Sequence, residues 1–360
     1  MTARTGVSRR KATSLVLAAT LAMGTMMASQ AATAQVRLLE TGSTLLYPLF
    51  NLWVPVYSKT HPGVQITTQG TGSGTGISEA ISGIAQIGAS DAYMSDPQVR
   101  MHPMLNIPVS ISSQMVNYNI PGLNKDHLRL SGPALAAIYS GTARYWDAPI
   151  IARLNPAVKL PHELIVPVHR TDGSGDTFIF SQYLSFSTPT WSNSVGYGTT
   201  VSWPAVQGGV GAEGNPGMVN ACKGTPYSIA YIGVSFRGAT ESAGLGEAML
   251  QNRAGRFVLP NPQTVNAAVS AMSAKTPKDE RISLIFAPGA NSYPIINYEY
   301  AIVSERQPNA ATAAAIKEFL LWGMSPEHGN SPHFMKQVGF VPLPKPIQAL
   351  SRAQIEKIHG

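Results

Sequence analysis

"VRLLETGSTLLYPLFNLWVPVYSKTHPGVQITTQG", residues 36–70, decides the fold class of this chain. Its two ends, VRLLETG (36–42) and VQITTQG (64–70), are β-like runs that stop at glycine. The segment between them has helical apolar spacing, accepts a proline in its first turn and stops near His61-Pro62-Gly63. The alternation continues along the chain. ISEAISGIAQIG (77–88) and ALAAIYSG (134–141) are spaced as helices, and AATAAAIKEFLLWGM (310–324) is the plainest helix of all. YPIINYEYAIVS (293–304) reads as a strand. Strands alternating with helices predict an α/β architecture with mainly parallel sheets. No repeat of roughly 20–50 residues is present, which excludes solenoids and propellers. Segment 186–226 is polar, rich in Gly, Asn, Thr and Trp, and has little periodicity. A stretch that long reads as a functional or partner-facing loop region.

The first 34 residues stand apart from this pattern. Arg4, Arg9, Arg10 and Lys11 form a basic start, an uncharged run follows, and Ala32-Thr33-Ala34 ends it with small residues at cleavage spacing. This is the layout of a cleavable signal peptide at 1–34. Its length would also suit a membrane anchor, but its small residues favour removal. It holds no cysteine for lipid attachment. Without it, 326 of the 360 residues remain, with 22 basic against 19 acidic side chains and a net charge of +3. That length suggests two lobes, yet no linker or charge run cuts the chain into consecutive domains. The small charge and the absence of a Lys/Arg stripe argue against nucleic acid as a partner. Cys222 is the only cysteine, so no internal disulfide is possible, and it reads as a buried thiol.

Three segments share one design. TGST (41–44), QGTGSGTG (69–76) and DGSGDTF (172–178) each bring glycine and then Ser or Thr to the start of a helix. Any one of them is explained by ordinary capping. Together, with Arg170 beside the third, they suit convergence on one oxyanion, because helix starts offer unpaired N–H groups and partial positive charge. None ends in the Gly-Lys-Ser/Thr of a nucleotide loop. Neither Ser73 nor Ser174 lies in a Gly-x-Ser-x-Gly nucleophile turn. The histidines have no metal spacing and the carboxylates do not cluster locally, so no metal or cofactor is called for.

The residues TGSTLLYPLFNLW, QGTGSG, IGASDAYMSD, YNIPGL, YWDAPIIARLNP, HRTDGSGDTFIFSQYLS and AYIG resemble the periplasmic phosphate-binding proteins of bacterial ABC phosphate importers, above all the mycobacterial form. The resemblance runs in order from about Leu38 into the C-terminal region. It implies a two-lobed, class II periplasmic binding protein with a ligand cleft between the lobes. Lobe I would be 35–110 plus 293–360 and lobe II 111–292, the chain crossing between them twice. It also implies a monomer, located in the periplasm, that passes phosphate to the membrane permease subunits of an importer. Ser43, Thr44 and Leu45 would give backbone N–H groups to phosphate, the first two adding hydroxyls. Ser73 would donate as well, Arg170 would pair with phosphate oxygens, and Ser174 and Gly175 would supply hydroxyl and N–H donors. Asp91 matches the acidic acceptor of the family. Asp176 departs from the threonine that many relatives carry after DGSG, but the mycobacterial form shares it.

The acids have a chemical rationale of their own. Phosphate near neutral pH carries one or two protons and sulfate none. A buried carboxylate accepts a hydrogen bond from P–OH and repels a bare oxygen. A site built around a substrate hydroxyl can reject an analogue lacking it by roughly 10⁴–10⁵. Asp172 is expected to steady Arg170 rather than touch ligand. The competing reading, a secreted phosphatase acting on phosphate esters, needs a nucleophile or metal pair that the sequence does not offer.

Overall fold

The 36–70 stretch forms β1 (Val36–Gly42), α1 (Tyr47–Thr60) and β2 (Val64–Gly70). The two strands pair in parallel, from Val36 opposite Val64 to Gly42 opposite Gly70. These are the coordinates of a computed structural model that describes residues 35–360; the leader expected at 1–34 lies outside the described residues. Helix α1 buries Leu49, Phe50, Trp53 and Tyr57, the three-and-four spacing of a one-sided helix. That face meets a second helix, α5, spanning Ala310–Met324 as its sequence pattern predicts. Phe319 of α5 lies 5.0 Å from the Tyr57 ring and 6.3 Å from that of Trp53. The Trp53 indole N–H donates to the Gly329 carbonyl at 2.8 Å, so its one polar atom is satisfied in the core.

Further along the chain come α2 (Ser73–Ser82), β3 (Ile87–Ser90), β4 (Leu105–Asn119), β5 (Val166–Arg170) and α3 (Gly175–Ser187). They are followed by β6 (Val210–Ala212), α4 (Gly214–Gly224), β7 (Ser228–Gly233), β8 (Gly246–Glu247) and β9 (Ile296–Val303). The nine strands form one sheet in the order β2-β1-β3-β9-β4-β7-β5-β6, with β8 also on β4. The sheet is mixed, not mainly parallel. Within β2-β1-β3 and within β7-β5-β6 the pairs are parallel, as strand–helix–strand units require. The two strands in the middle, β9 and β4, run antiparallel to each other and to their outer neighbours.

Strand β4 is 15 residues long and has two sets of partners. Residues 105–113 pair with β9, and residues 114–119 pair with β7. All but its last residue are buried, which explains its nearly uninterrupted run of apolar and small polar side chains. The β9–β4 register shifts between Glu299 and Tyr300, leaving Val109 as an extra residue. Asn330 satisfies the freed Val109 carbonyl through its Nδ2 at 2.7 Å.

Two expectations shift. Apolar spacing starts the second helix at Ile77, but α2 begins at Ser73 and takes in two glycines. A Cβ on Gly76 would lie 2.7 Å from the carbonyl oxygens of both Ala89 and Thr41, so glycine lets the helix press on the ends of β1 and β3. Its poor helix propensity hides the true start. The 186–226 segment is not one long loop, because β6 and α4 lie inside it. Cys222 is buried on α4, and burial pushes its thiol up to about 12.

Glu40 in β1 is wholly buried, and neither carboxyl oxygen has a hydrogen-bond partner among the described residues. Burial drives its carboxyl well above the ordinary glutamate value, so it is held neutral. Its stability contribution is therefore greatest below the unfolded value and is lost as pH rises through the folded one. Replacing it by an apolar side chain of similar length, Glu40→Met, should stabilise the fold by ~1–3 kcal/mol. Denaturant melts near neutral pH read this directly, and an unchanged or lowered midpoint would show that the carboxyl has a structural use.

Candidate functional site

Four segments converge where β4 changes partners. The turn after β1 places Ser43, whose hydroxyl donates to Asp91 Oδ1 and accepts the N–H groups of Leu45 and Leu46 at 3.1 and 3.0 Å. The Leu45 N–H, expected to face outward as a donor, is thus turned onto Ser43. Thr44 Oγ1 accepts from the Asn215 backbone N–H at 3.1 Å and from its Nδ2 at 3.0 Å. Ser73 is the first residue of α2; its hydroxyl lies 3.4 Å from Asp91 Oδ2 and accepts the Asp91 N–H at 3.2 Å. Asp91 itself follows directly after β3.

Arg170 ends β5 and is only 3% exposed. Its Nε donates to Asp172 Oδ1 at 2.6 Å, its Nη2 to Asp172 Oδ2, and its Nη1 to Asp176 Oδ2 at 2.9 Å. A guanidinium has five N–H groups. Three are used on the two carboxylates, which leaves two to offer elsewhere. Gly214 adds its N–H to Asp172 at 3.2 Å, so Asp172 is itself anchored. Ser174 caps α3 by accepting the Thr177 N–H at 3.1 Å, which leaves its hydroxyl proton free to donate. Its own N–H goes to the Thr199 carbonyl at 2.8 Å.

Gly175 opens α3 against the opposite loops. A Cβ there would overlap Asp91 Oδ2 and Ser73 Oγ, so no other residue allows this approach. A backbone bond beside it, from the Gly74 N–H to the Gly173 carbonyl at 2.7 Å, joins the start of α2 to the loop before α3.

Electrostatics divide the acids. Burial works against ionisation of Asp172, but the hydrogen bonds and charge of Arg170 outweigh it and hold the carboxyl below its ordinary value. Burial also opposes the Arg170 cation, yet Asp172 and Asp176 keep it charged. For Asp176, burial raises the carboxyl while Arg170, Gln114 and Asn215 pull it back. Asp91 has no cation in direct contact. Burial, with the charge of Asp176 second, pushes it up to about 7. The pocket therefore holds one fixed cation, one fixed anion, and two acids that respond to what lies between them.

The structure brings all ten residues singled out in the sequence into this one region. It adds three that sequence reasoning missed. Gln114 Nε2 donates to both the carbonyl and Oδ1 of Asp176 at 3.0 Å. Asn215 Nδ2 donates to Asp176 Oδ2 at 2.7 Å, tying it to Thr44. Glu299 on β9 lies behind Asp91. A signal existed for Asn215 alone, since EGNPG (213–217) repeats the glycine-then-polar helix start. The His169 ring stacks on Trp203 with ring centres 5.2 Å apart.

These buried donors and acids meet at the partner change of a mixed α/β sheet, and the chain is similar to binding proteins. The PBP superfamily domain matches residues 28–327. The phosphate-binding protein PstS of Methanocaldococcus jannaschii is 36% identical, over 88% of this chain and 85% of its own length. PstS3 of Mycobacterium bovis is 31% identical, over 84% of this chain and 82% of its own. The chain belongs to the PstS family of phosphate-binding proteins. A solved phosphate-binding protein from Stenotrophomonas maltophilia shares the two-lobed α/β fold, with a TM-score of 0.66 at 18% identity, covering 88% of this chain and 93% of that one.

The raised Asp91 carboxyl has a measurable cost. Its contribution to stability is present below the unfolded value near 4 and is lost as pH rises through about 7. In ligand-free protein, Asp91→Asn should remove on the order of 3 kcal/mol of the stability lost between pH 4 and 8. Thermal melts across that range check it. A pH slope identical to that of the parent would mean Asp91 is not strained by its surroundings.

Proposed function

We propose that this protein is a receptor that captures inorganic phosphate between two lobes and hands it to the membrane permease of an ABC importer. The observation that carries the reading is the Arg170 fork. Two of its N–H groups are left over after Asp172 and Asp176 are served, at the meeting point of four helix starts. Ser43, Thr44, Leu45, Ser73, Ser174 and Gly175 ring the same space; Thr44 and Ser174 have a hydroxyl proton to offer, and the donors of Ser43, Leu45 and Ser73 would leave their present partners for the anion. Asp91 and Asp176 are the acceptors for the phosphate proton, and they turn away sulfate. Asp172 holds the arginine and stays out of contact with the anion.

Lobe I comprises 35–110 and 293–360, lobe II 111–292. The pairing of β4 with β9 on one half and with β7 on the other supports that division. The chain works as a monomer in the periplasm, exported by its first 34 residues. No described helix is long and apolar enough to cross a membrane. The names of the relatives are those of binding proteins, and no observation favours a phosphatase. The Ser174 hydroxyl serves as a helix cap, and His169 is taken up by Trp203.

Calorimetric titration is the test. Purified protein should bind phosphate tightly and sulfate negligibly at pH 7–8; equal affinities would overturn the reading. Gly175→Ala should fold normally and weaken phosphate at least about tenfold, because the added methyl holds α3 away from Asp91 and Ser73. Undiminished affinity in that variant would place the anion elsewhere.

A further inference from the structure

Glu299 lies behind Asp91, and no role has yet been given to it. It is wholly buried on β9, a strand that pairs with β3 on one side and β4 on the other. The β9–β3 register sets Tyr300 opposite Ser90 and Ala301 opposite Ala89. One step further along this antiparallel pair, Glu299 stands across from Asp91. The charge of Asp91 bears on Glu299, as between close neighbours. Like charges opposite each other on neighbouring strands would repel, so a carboxyl pair here needs a proton between its members.

The two oxygens of Glu299 differ in their surroundings. Glu299 Oε1 accepts from Asn297 Nδ2 at 3.0 Å and is also approached by the Ser112 hydroxyl. Its Oε2 is buried and has no partner among the neutral donors around it. An oxygen left over in this way, beside another acid, is where a protonated carboxyl would carry its O–H. Asn297 Nδ2 also reaches the Asp91 carbonyl at 3.4 Å and so spans both residues. The register shift in β9–β4 falls immediately after Glu299, where an extra residue re-aims side chains.

We propose that Glu299 is the positioning residue that sets Asp91 to accept rather than donate, by giving it a permanent hydrogen bond from the Oε2 side. Asp91 then keeps one oxygen for an oxyanion that carries its own proton. The inference rests on the phosphate-receptor reading above and deepens it: selectivity for a protonated anion is set by a pair of carboxyls, not by one. The groups facing this pair are Ser43 after β1, Ser73 on α2, Ser112 on β4, Asn297 on β9, and Asp176 and Arg170 from the β5–α3 side. Burial, then the Asp91 charge, holds Glu299 well above its ordinary value, and burial also pushes Asp91 up, to about 7.

The experiment is a set of phosphate and sulfate titrations from pH 6 to 9 on the full protein and two variants. In the parent, preference for phosphate over sulfate should rise through about pH 7 as Asp91 ionises. Glu299→Met removes the donor while keeping most of the volume. Its rise should move to higher pH by about one unit, an approximately tenfold loss of preference at neutral pH. Glu299→Gln keeps an N–H donor that cannot be lost, and should restore the parental profile. Circular dichroism confirms folding; if the Met variant does not fold, Glu299→Ala is read in its place. Parental profiles in every variant, or equal shifts in the Gln and apolar variants, would overturn the role of Glu299 while leaving phosphate capture intact. Absence of phosphate binding in the parent would instead overturn the receptor reading itself.

Discussion

Everything at the site depends on keeping a guanidinium charged while it is almost sealed from water. A cation buried without partners costs several kcal/mol, and Arg170 avoids this only by lying between Asp172 and Asp176. Those acids then need donors of their own. Gly214 supplies one to Asp172, and Gln114 and Asn215 supply them to Asp176. These donors come from two distant parts of the chain, the start of α4 and the middle of β4. A single desolvated charge therefore fixes the end of β5, the start of α3, the start of α4 and the middle of β4 relative to one another. The acids that looked misplaced in an anion cradle are what allow its cation to be there.

The same arrangement leaves the cradle close to neutral, because Arg170 and Asp172 cancel. Attraction for an anion must then come from oriented N–H and O–H dipoles, which act at short range and are weakly screened. In the receptor we propose, selectivity comes from Asp91 and Asp176, both raised by burial. Attraction and discrimination thus use different groups, and a change in one need not disturb the other.

Much of this was legible in the sequence. The strand–glycine–helix pattern of 36–70 predicts β1, α1 and β2, and the apolar pattern of 310–324 gives α5 at its observed bounds. The three glycine loops and Arg170 mark the cradle because glycine and small hydroxyl residues at helix starts have few other uses in combination. What escaped has a common cause. Gln114 and Glu299 lie inside buried strands, where side-chain partners are set by register with segments far away in sequence, and no local pattern records them. The start of α2 escaped because glycines that pack against backbone look like loop residues. The mixed sheet escaped because local alternation says nothing about the direction in which a distant strand enters.

That sheet order has a consequence for how the chain acquires its structure. β1, β2 and β3 lie within residues 36–90, but their inner edge is closed by β9, which begins at Ile296. Until that strand arrives, β3 presents an open edge, and the Asp91 region lacks its backing. Pairings of such long sequence separation are slow to form. The N-terminal part therefore cannot complete its sheet early in synthesis. A chain built this way remains unlocked until nearly all of it is available, which is the condition in which a polypeptide can be threaded through a narrow pore.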